Sequence, residues 1–184
     1  MRVFGVRHGQ SGFNLRHLCN DDPTRPGGDL TALGRRQAAS AAVRLAAEGV
    51  EAIYCSALPR AVQTARIIGE QLQLPATVDA RLNDIRTGCD GQPVAAYFAA
   101  IAPDPLRVRA TPDAENLLDY QARIDGFLDW LAGRPHAAAV LVAHEETLRI
   151  FQARGEGLAL AAVVGRAFAN GAVYAFELAG PSAG

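Results

Sequence analysis

The chain contains no lysine: all 18 of its basic residues are arginine. Schiff-base chemistry, a pyridoxal-phosphate lysine and a Walker-type phosphate loop are therefore excluded, and the absence is read as codon bias. Cysteine is scarce as well. Cys19, Cys55 and Cys89 show no CxxC or metal-ligand spacing, and an odd number leaves one unpaired, as in a reducing compartment. No charge-free apolar stretch approaches the roughly 20 residues of a membrane span, and the N-terminus opens directly into a strand-like run without the basic and apolar regions of a signal peptide. A cytoplasmic location without membrane association is expected. Excess charge of one sign is also missing: the formal net charge is -1, which gives no polyelectrolyte signal and makes nucleic acid an unexpected partner.

What the chain does have is apolar content in alternating periods. At 184 residues and 49% hydrophobic, it is long enough for one core and too short for two ordinary domains. The patterning predicts strands at 2–6, 51–55, 76–81, 138–143 and 172–178, and helices at 31–48, 58–73, 92–101, 114–132 and 146–154. In helix 58–73, Val62, Ala65, Ile68 and Leu72 recur at three- to four-residue spacing, and Gly49 and Gly133 stand where helix C-caps belong. Alternating β and α elements with short apolar strands predict an α/β three-layer sandwich, a mostly parallel sheet with helices on both faces. A single domain over 1–179 and a flexible Gly/Pro/Ser tail at 180–184 are expected.

Three strand ends carry polar chemistry. Arg7-His8-Gly9 follows the apolar run Val3–Val6; alone it would read as a turn. Ser56-Ala57-Leu58-Pro59-Arg60 follows 51–55, and His144-Glu145-Glu146 follows 138–143. Ligands of open α/β sheets bind outside the carboxyl ends of the strands, so two histidines and two arginines can converge there. Arginine's planar fork matches phosphate oxygens two at a time, and a neutral imidazole beside it can attack phosphorus. Competing motifs fail: Leu148 stands where the second histidine of HExxH belongs, and Gly5, Gly9 and Gly12 do not make GxGxxG.

Arg7-His8-Gly9-Gln10-Ser11 with Asn14, the Leu30–Ala38 segment, Ser56–Ala65 and the late His144, in this order across essentially the whole chain, resemble the histidine phosphatases, or phosphoglycerate mutase-like superfamily. The resemblance implies a phosphoglycerate mutase-like fold, a His8 nucleophile that becomes phosphorylated, and Arg7, Arg60 and His144 gripping the phosphoryl oxygens. Neutral donors are expected from Asn14 and the backbone amides after residues 8 and 144, and a backbone carbonyl should hold the second nitrogen of His8.

Two positions depart from the family pattern. Asp84 stands where most members have glutamate as proton donor; it is one methylene shorter, so its loop must sit closer to the pocket, and the alternative is that it caps a turn. Glu145 replaces a common glycine. The expectation is a solvent-facing helix N-terminal acid, with substrate contact or a compromised pocket as alternatives. Asp113 and Glu115 are read as a helix N-cap and a first-turn acid, although Glu115 in the resembling motif can orient the pocket. Arg123 and Arg149 are read as forming salt bridges on helix faces without touching ligand, and His17 and His136 as surface residues. Loops 15–29 and 85–113 are expected to select substrate; the shortness of the second argues against a glycolytic mutase.

The implied activity is hydrolysis of a phosphate monoester through phosphohistidine on His8, with no metal and no cofactor. The partner is a small phosphate ester or a phosphorylated protein, and the chain is a monomer or homodimer. A mutase-type phosphotransferase and a non-catalytic phosphate-ester binding module remain as alternatives.

Overall fold

The computed structural model describes residues 1–179; the expected tail at 180–184 lies outside the described residues. The strands are β1 (Arg2–Arg7), β2 (Ala52–Cys55), β3 (Ala76–Val78), β4 (Ala138–Ala143) and β5 (Val173–Glu177), and the helices are α1 (Gly12–Arg16), α2 (Ala32–Leu45), α3 (Pro59–Leu72), α4 (Val94–Ile101), α5 (Leu117–Ala132) and α6 (Glu145–Glu156). The sheet order is β3-β2-β4-β1-β5. The first four strands run parallel, and β5 closes the β1 edge antiparallel.

Alternation along the strands divides the core in two. Phe4, Val6, Ile53, Cys55, Val140 and Val142 face α2 and α3, burying Ala41, Leu45, Ala61, Ala65 and Ile68. Val3, Tyr54, Ala139 and Leu141 face the other way, onto Phe127 and Leu131 of α5 and Leu148 and Phe151 of α6. Helices thus cover both faces, which is why the central strands read as apolar throughout.

This stacking places the carboxyl ends of β2, β4 and β1 side by side. The loop after β1 is locked against the start of α2: a Cβ on Gly9 would stand 2.2 Å from the carbonyl oxygen of Gly34, and one on Gly34 would stand 2.1 Å from that of Gln10. Only glycine fits at both positions, so backbone contact fixes the residues that follow His8. Thr31 caps α2 by accepting from the Gly34 amide at 3.0 Å.

Several boundaries differ from expectation for physical reasons. Helix α2 stops at Leu45 with Ala46 as its C-cap, and Gly49 lies farther on in a turn at φ 64°. Strand β3 ends at Val78; the Asp79 carboxylate then caps a 3-10 turn by accepting from the Arg81 amide at 2.9 Å, and Leu82 drops into the core. Helix α5 begins at Leu117 behind Asn116, whose side chain accepts from the Asp119 amide at 2.8 Å. Asp113 and Glu115 are therefore outside the helix, and the reading of them as its N-cap and first-turn acid is corrected. Gly133 is the C-cap of α5, as expected. The short α1, held by a reciprocal Ser11–Asn14 capping box, was not anticipated.

Candidate active site

The amide of His8 extends the sheet by donating to the carbonyl of Ala143 at 3.0 Å, which sets His8 beside His144 at the end of β4. Their rings stand 5.2 Å apart between centroids. Each side chain is nearly inaccessible, 2% for His8 and 1% for His144. Nδ1 of His8 lies 2.7 Å from the carbonyl of its neighbour Gly9. An oxygen acceptor there requires a proton on Nδ1 and leaves a lone pair on Nε2. That lone pair receives the Arg60 Nε–H at 2.9 Å. Burial first, and the Arg60 charge second, hold the His8 pKa well below the ordinary imidazole range, so the ring is neutral and nucleophilic at neutral pH.

Arg60 occupies the first turn of α3, on its buried side, with 4% exposure. Besides His8, its guanidinium donates from Nη1 to Asn20 Oδ1 at 2.9 Å and from Nη2 to Asp84 Oδ2 at 3.0 Å. Nη2 is also 3.3 Å from Nδ1 of His144. One planar group thus spans His8, His144 and Asp84, a fixed cationic plate at the pocket floor.

The protonation of His144 follows from its partners. Its Nε2 lies 2.9 Å from the Ser56 hydroxyl. That hydroxyl accepts from the Leu58 amide at 3.1 Å and donates to Asn83 Oδ1 at 3.1 Å. The Asn83 oxygen is itself identified by the Ala57 amide, which donates to it at 2.7 Å. The serine proton is therefore committed to Asn83, Ser56 accepts from His144, and Nε2 carries the hydrogen. Nδ1 turns toward the pocket, 3.4 Å from Asp84 Oδ2.

Asp84 opens onto the cleft with its side chain 25% exposed, yet it sits deep within the fold. Burial raises its pKa above the usual carboxylate range, against the opposing pull of Arg60. Its other oxygen accepts from the Ile85 amide at 3.0 Å. The loop that carries it is clamped by Arg123: Nη1 donates to the carbonyls of Arg81 at 2.8 Å and Asn83 at 2.9 Å, and Nη2 to that of Asp84 at 3.3 Å. Glu115 holds Arg123 through Nε at 2.9 Å and Nη2 at 2.7 Å, and accepts from the Arg86 amide at 3.0 Å. Arg123 and Glu115 therefore brace the Asp84 loop, which the helix-face reading of Arg123 did not foresee.

Arg7 and Glu145 depart from expectation together. Glu145 does not point to solvent as a free helix-start acid: its Oε2 binds Arg7 Nη1 at 2.9 Å, and its Oε1 accepts from the Phe168 amide at 3.2 Å and Arg149 Nη2 at 3.3 Å. Part of the Arg7 fork is thus occupied. Its buried Nε has no partner among the described residues. Asn14 accepts through Oδ1 from the Ser11 amide at 3.0 Å, so its Nδ2 is the end left to donate to the pocket it lines. The amide of Gly9 does not serve as a donor there, because it is bound to the Thr64 hydroxyl at 3.1 Å.

Arg7, His8, Asn14, Arg60, Asp84 and Glu145 all line one cleft of about 170 Å³, with Asn20, Tyr97 and Phe98 along its walls. His144 lies just beneath, against Arg60 and Asp84. His17 is exposed and His136 half-buried, away from this cleft.

A model described as the histidine phosphatase superfamily (branch 1) matches residues 3–182. The chain belongs to that superfamily. Among curated relatives of this histidine phosphatase, one named "Probable phosphoglycerate mutase" from Yersinia enterocolitica is 36% identical over 88 residues, covering 48% of this chain and 40% of the relative. Another of that name from Proteus mirabilis is 29% identical over 152 residues, covering 78% and 69%. The match to the Yersinia relative thus spans well under half of that protein's length. Among solved structures, a mycobacterial glucosyl-3-phosphoglycerate phosphatase complexed with VO3 superposes with a TM-score of 0.79 at 27% identity, covering 95% of this chain and 91% of that one. The α-ribazole phosphatase of Shigella flexneri shares the fold, with a TM-score of 0.82 at 23% identity over 95% and 89% of the two chains.

Asn20, Ser56, Asn83 and Arg123 are the residues of the site whose roles sequence reasoning did not define, and for Glu115 the orienting role was the less favoured reading. Ser56 was quoted within a motif, and Asn20 lay in a loop assigned to substrate choice. The Arg123–Glu115 pair offered no spacing signal, because its targets are backbone carbonyls of another loop.

Proposed function

We propose that this histidine phosphatase is a phosphomonoesterase whose His8 Nε2 attacks phosphorus. The observation that carries the reading is the pairing of His8 Nδ1 with the Gly9 carbonyl at 2.7 Å, which presents an unprotonated nitrogen to a cleft lined by arginine. As the nitrogen–phosphorus bond forms and the ester P–O bond breaks, negative charge spreads over the equatorial oxygens. Arg60, the free Nε of Arg7 and Nδ2 of Asn14 are the fixed donors for it. The departing alkoxide takes the proton of Asp84, whose raised pKa keeps it protonated farther up the pH scale. Water then attacks the phosphohistidine, the Asp84 carboxylate receives its proton, and the P–N bond pair returns to His8.

Arg7 and Arg60 supply the charge stabilisation a metal would otherwise give, so turnover without metal belongs to the proposal. Hydrolysis is favoured over transfer to a hydroxy acid by the state of Arg149. Its Nε donates to the Arg166 carbonyl at 2.6 Å and its two other nitrogens bind Glu146 and Glu145, so it offers no free fork for a substrate carboxylate. A small-molecule ester in a reducing, cytoplasmic setting fits the three free cysteines. No helix among the described residues is long and apolar enough to cross a membrane.

The test is phosphate release from p-nitrophenyl phosphate with EDTA present, wild type beside His8→Ala. Turnover lost in the mutant supports the phosphohistidine route; turnover near wild type in the mutant overturns it. Binding of vanadate without turnover of any ester would instead assign a phosphate-ester binding module.

A further inference from the structure

We infer that the ester's alcohol portion is an uncharged group bearing an apolar ring, seated in a slot beside the phosphoryl cleft. The inference rests on the phosphatase reading above and names its substrate class. The slot, of about 130 Å³, has apolar walls from Tyr97, Phe98, Ile101, Pro105, Leu117 and Val164 and is completed by the ion-paired Glu146 and Arg149. It shares Tyr97, Phe98 and Glu146 with the cleft that holds His8, so the two cavities meet along one wall. An apolar cavity of about 150 Å³ accepts a benzene-sized guest, so this slot has room for roughly one ring.

The path between them is set by chemistry. The ester oxygen must lie within reach of Asp84, and beyond Asp84 the cleft wall runs over Ile85, Val94, Tyr97 and Phe98. Phe98 stands 50% exposed, its ring 5.5 Å from that of Tyr97. With Tyr97 it forms an apolar rim where the cleft and the slot adjoin, the kind of wall that lines a ligand pocket. The slot also lacks an available cation. All three arms of Arg149 are engaged, by the Arg166 carbonyl, Glu146 and Glu145. A carboxylate on the alcohol would meet Glu146 while Arg149, the cation lining the slot, is already shared between Glu145, Glu146 and the Arg166 carbonyl, so the alcohol portion is neutral.

The experiment compares kcat/KM for 2-phenylethyl phosphate, ethyl phosphate and 3-phosphoglycerate, the first two having alcohols of similar leaving ability. Wild type should favour the phenylethyl ester over the ethyl ester by at least about tenfold, since a buried ring removes substantial apolar area from water, and 3-phosphoglycerate should fall below both. Val164→Trp, which fills the slot, should bring the phenylethyl-to-ethyl ratio close to one while ethyl phosphate is still turned over. A wild-type ratio near one, or equal loss on both esters in Val164→Trp, overturns the inference and leaves the phosphatase reading standing. Should neither ester turn over, the phosphatase reading fails, and calorimetric binding of the two esters still reads the slot: a preference of about tenfold for phenylethyl phosphate supports it and equal affinities overturn it. If Phe98→Ala converts a dimer to a monomer by light scattering with ester preference unchanged, Phe98 belongs to a subunit interface and the inference is overturned.

Discussion

The two halves of the cleft are built on opposite terms. The phosphoryl half grows from three adjacent strand ends, and His8, Ser56, Arg60 and His144 there are buried in a network in which each group's partner fixes its protonation. The neighbouring slot is made by α4, the starts of α5 and α6 and the loops around them, with Phe98 half in water and mostly apolar walls beside the Glu146–Arg149 pair. The first half has one arrangement, because removing any member leaves a buried polar atom unpaired at a cost of about 1–3 kcal/mol. The apolar walls of the slot carry no such requirement. Chemistry is thereby held constant by the sheet while substrate choice is left to the periphery.

That contrast can be broken most severely at the nucleophile. His8→Ala should lower kcat/KM by about 10⁴-fold or more with circular dichroism close to wild type and only a modest drop in thermal stability from the partners left unpaired; a mutant that retains a tenth of the activity would move the nucleophile elsewhere. Next in size, Asp84→Asn should slow ethyl phosphate by about 10²–10⁴-fold and p-nitrophenyl phosphate far less, because nitrophenolate departs without a proton. Equal losses on the two substrates would assign the acid to another group.

A smaller effect tests whether the brace behind Asp84 acts through it. Arg123→Ala should reduce kcat by about tenfold to a hundredfold, comparable to losing a group that orients a reactive one. It should also steepen the dependence of rate on leaving-group pKa, and uniform slowing without that steepening would give Arg123 a structural role only. Glu145→Gly removes one of the two acceptors of Arg7 Nη1, the Phe168 carbonyl remaining, and takes a negative charge from the phosphoryl site. Inorganic phosphate should then inhibit about threefold to fivefold more tightly, in keeping with a partly exposed ion pair; weaker inhibition would show that Glu145 positions Arg7 for phosphate.

The smallest effect is on stability against pH. His8 and His144 have folded-state pKa values depressed by burial, so the unfolded chain binds more protons below about pH 6.5. Stability should be fully present above that pH and fall as the pH drops through it. Asp84, raised in the fold, works in the opposite direction between the ordinary carboxylate pKa and its own. Urea unfolding between pH 5 and 7.5 reads the sum, and His8→Gln should flatten the slope; an unchanged slope would remove His8 from the proton balance.

Much of the frame was legible because it is periodic. The apolar runs at β1, β2 and β4 announced a parallel sheet, and the helical spacing of α3 survived with one residue trimmed from each end. Boundaries failed where one polar side chain decided them, as Asp79 did at the end of β3 and Asn116 at the start of α5. Glu145 was misread for a related reason. At a helix start an acid is satisfied by the dipole alone, and nothing nearby in sequence says that Arg7 is waiting across the cleft. Glu115 and Arg123 were underestimated because in sequence both read as ordinary helix residues, whereas Glu115 stands just before α5 and the pair becomes a brace only when the Asp84 loop passes over it.

The sequence by itself determined the layered α/β architecture, the position of His8 at a strand end and the arginines and histidines gathered at neighbouring strand ends, because those follow from local period and from side-chain chemistry. Only the tertiary structure decided which of them touch. The Arg60–His8, Arg60–His144 and His144–Ser56 contacts join residues 52, 84 and 88 positions apart, and no local pattern encodes such pairs. They form because the strand order β2-β4-β1 brings three chain segments to one edge, where burial leaves each polar atom a single set of partners.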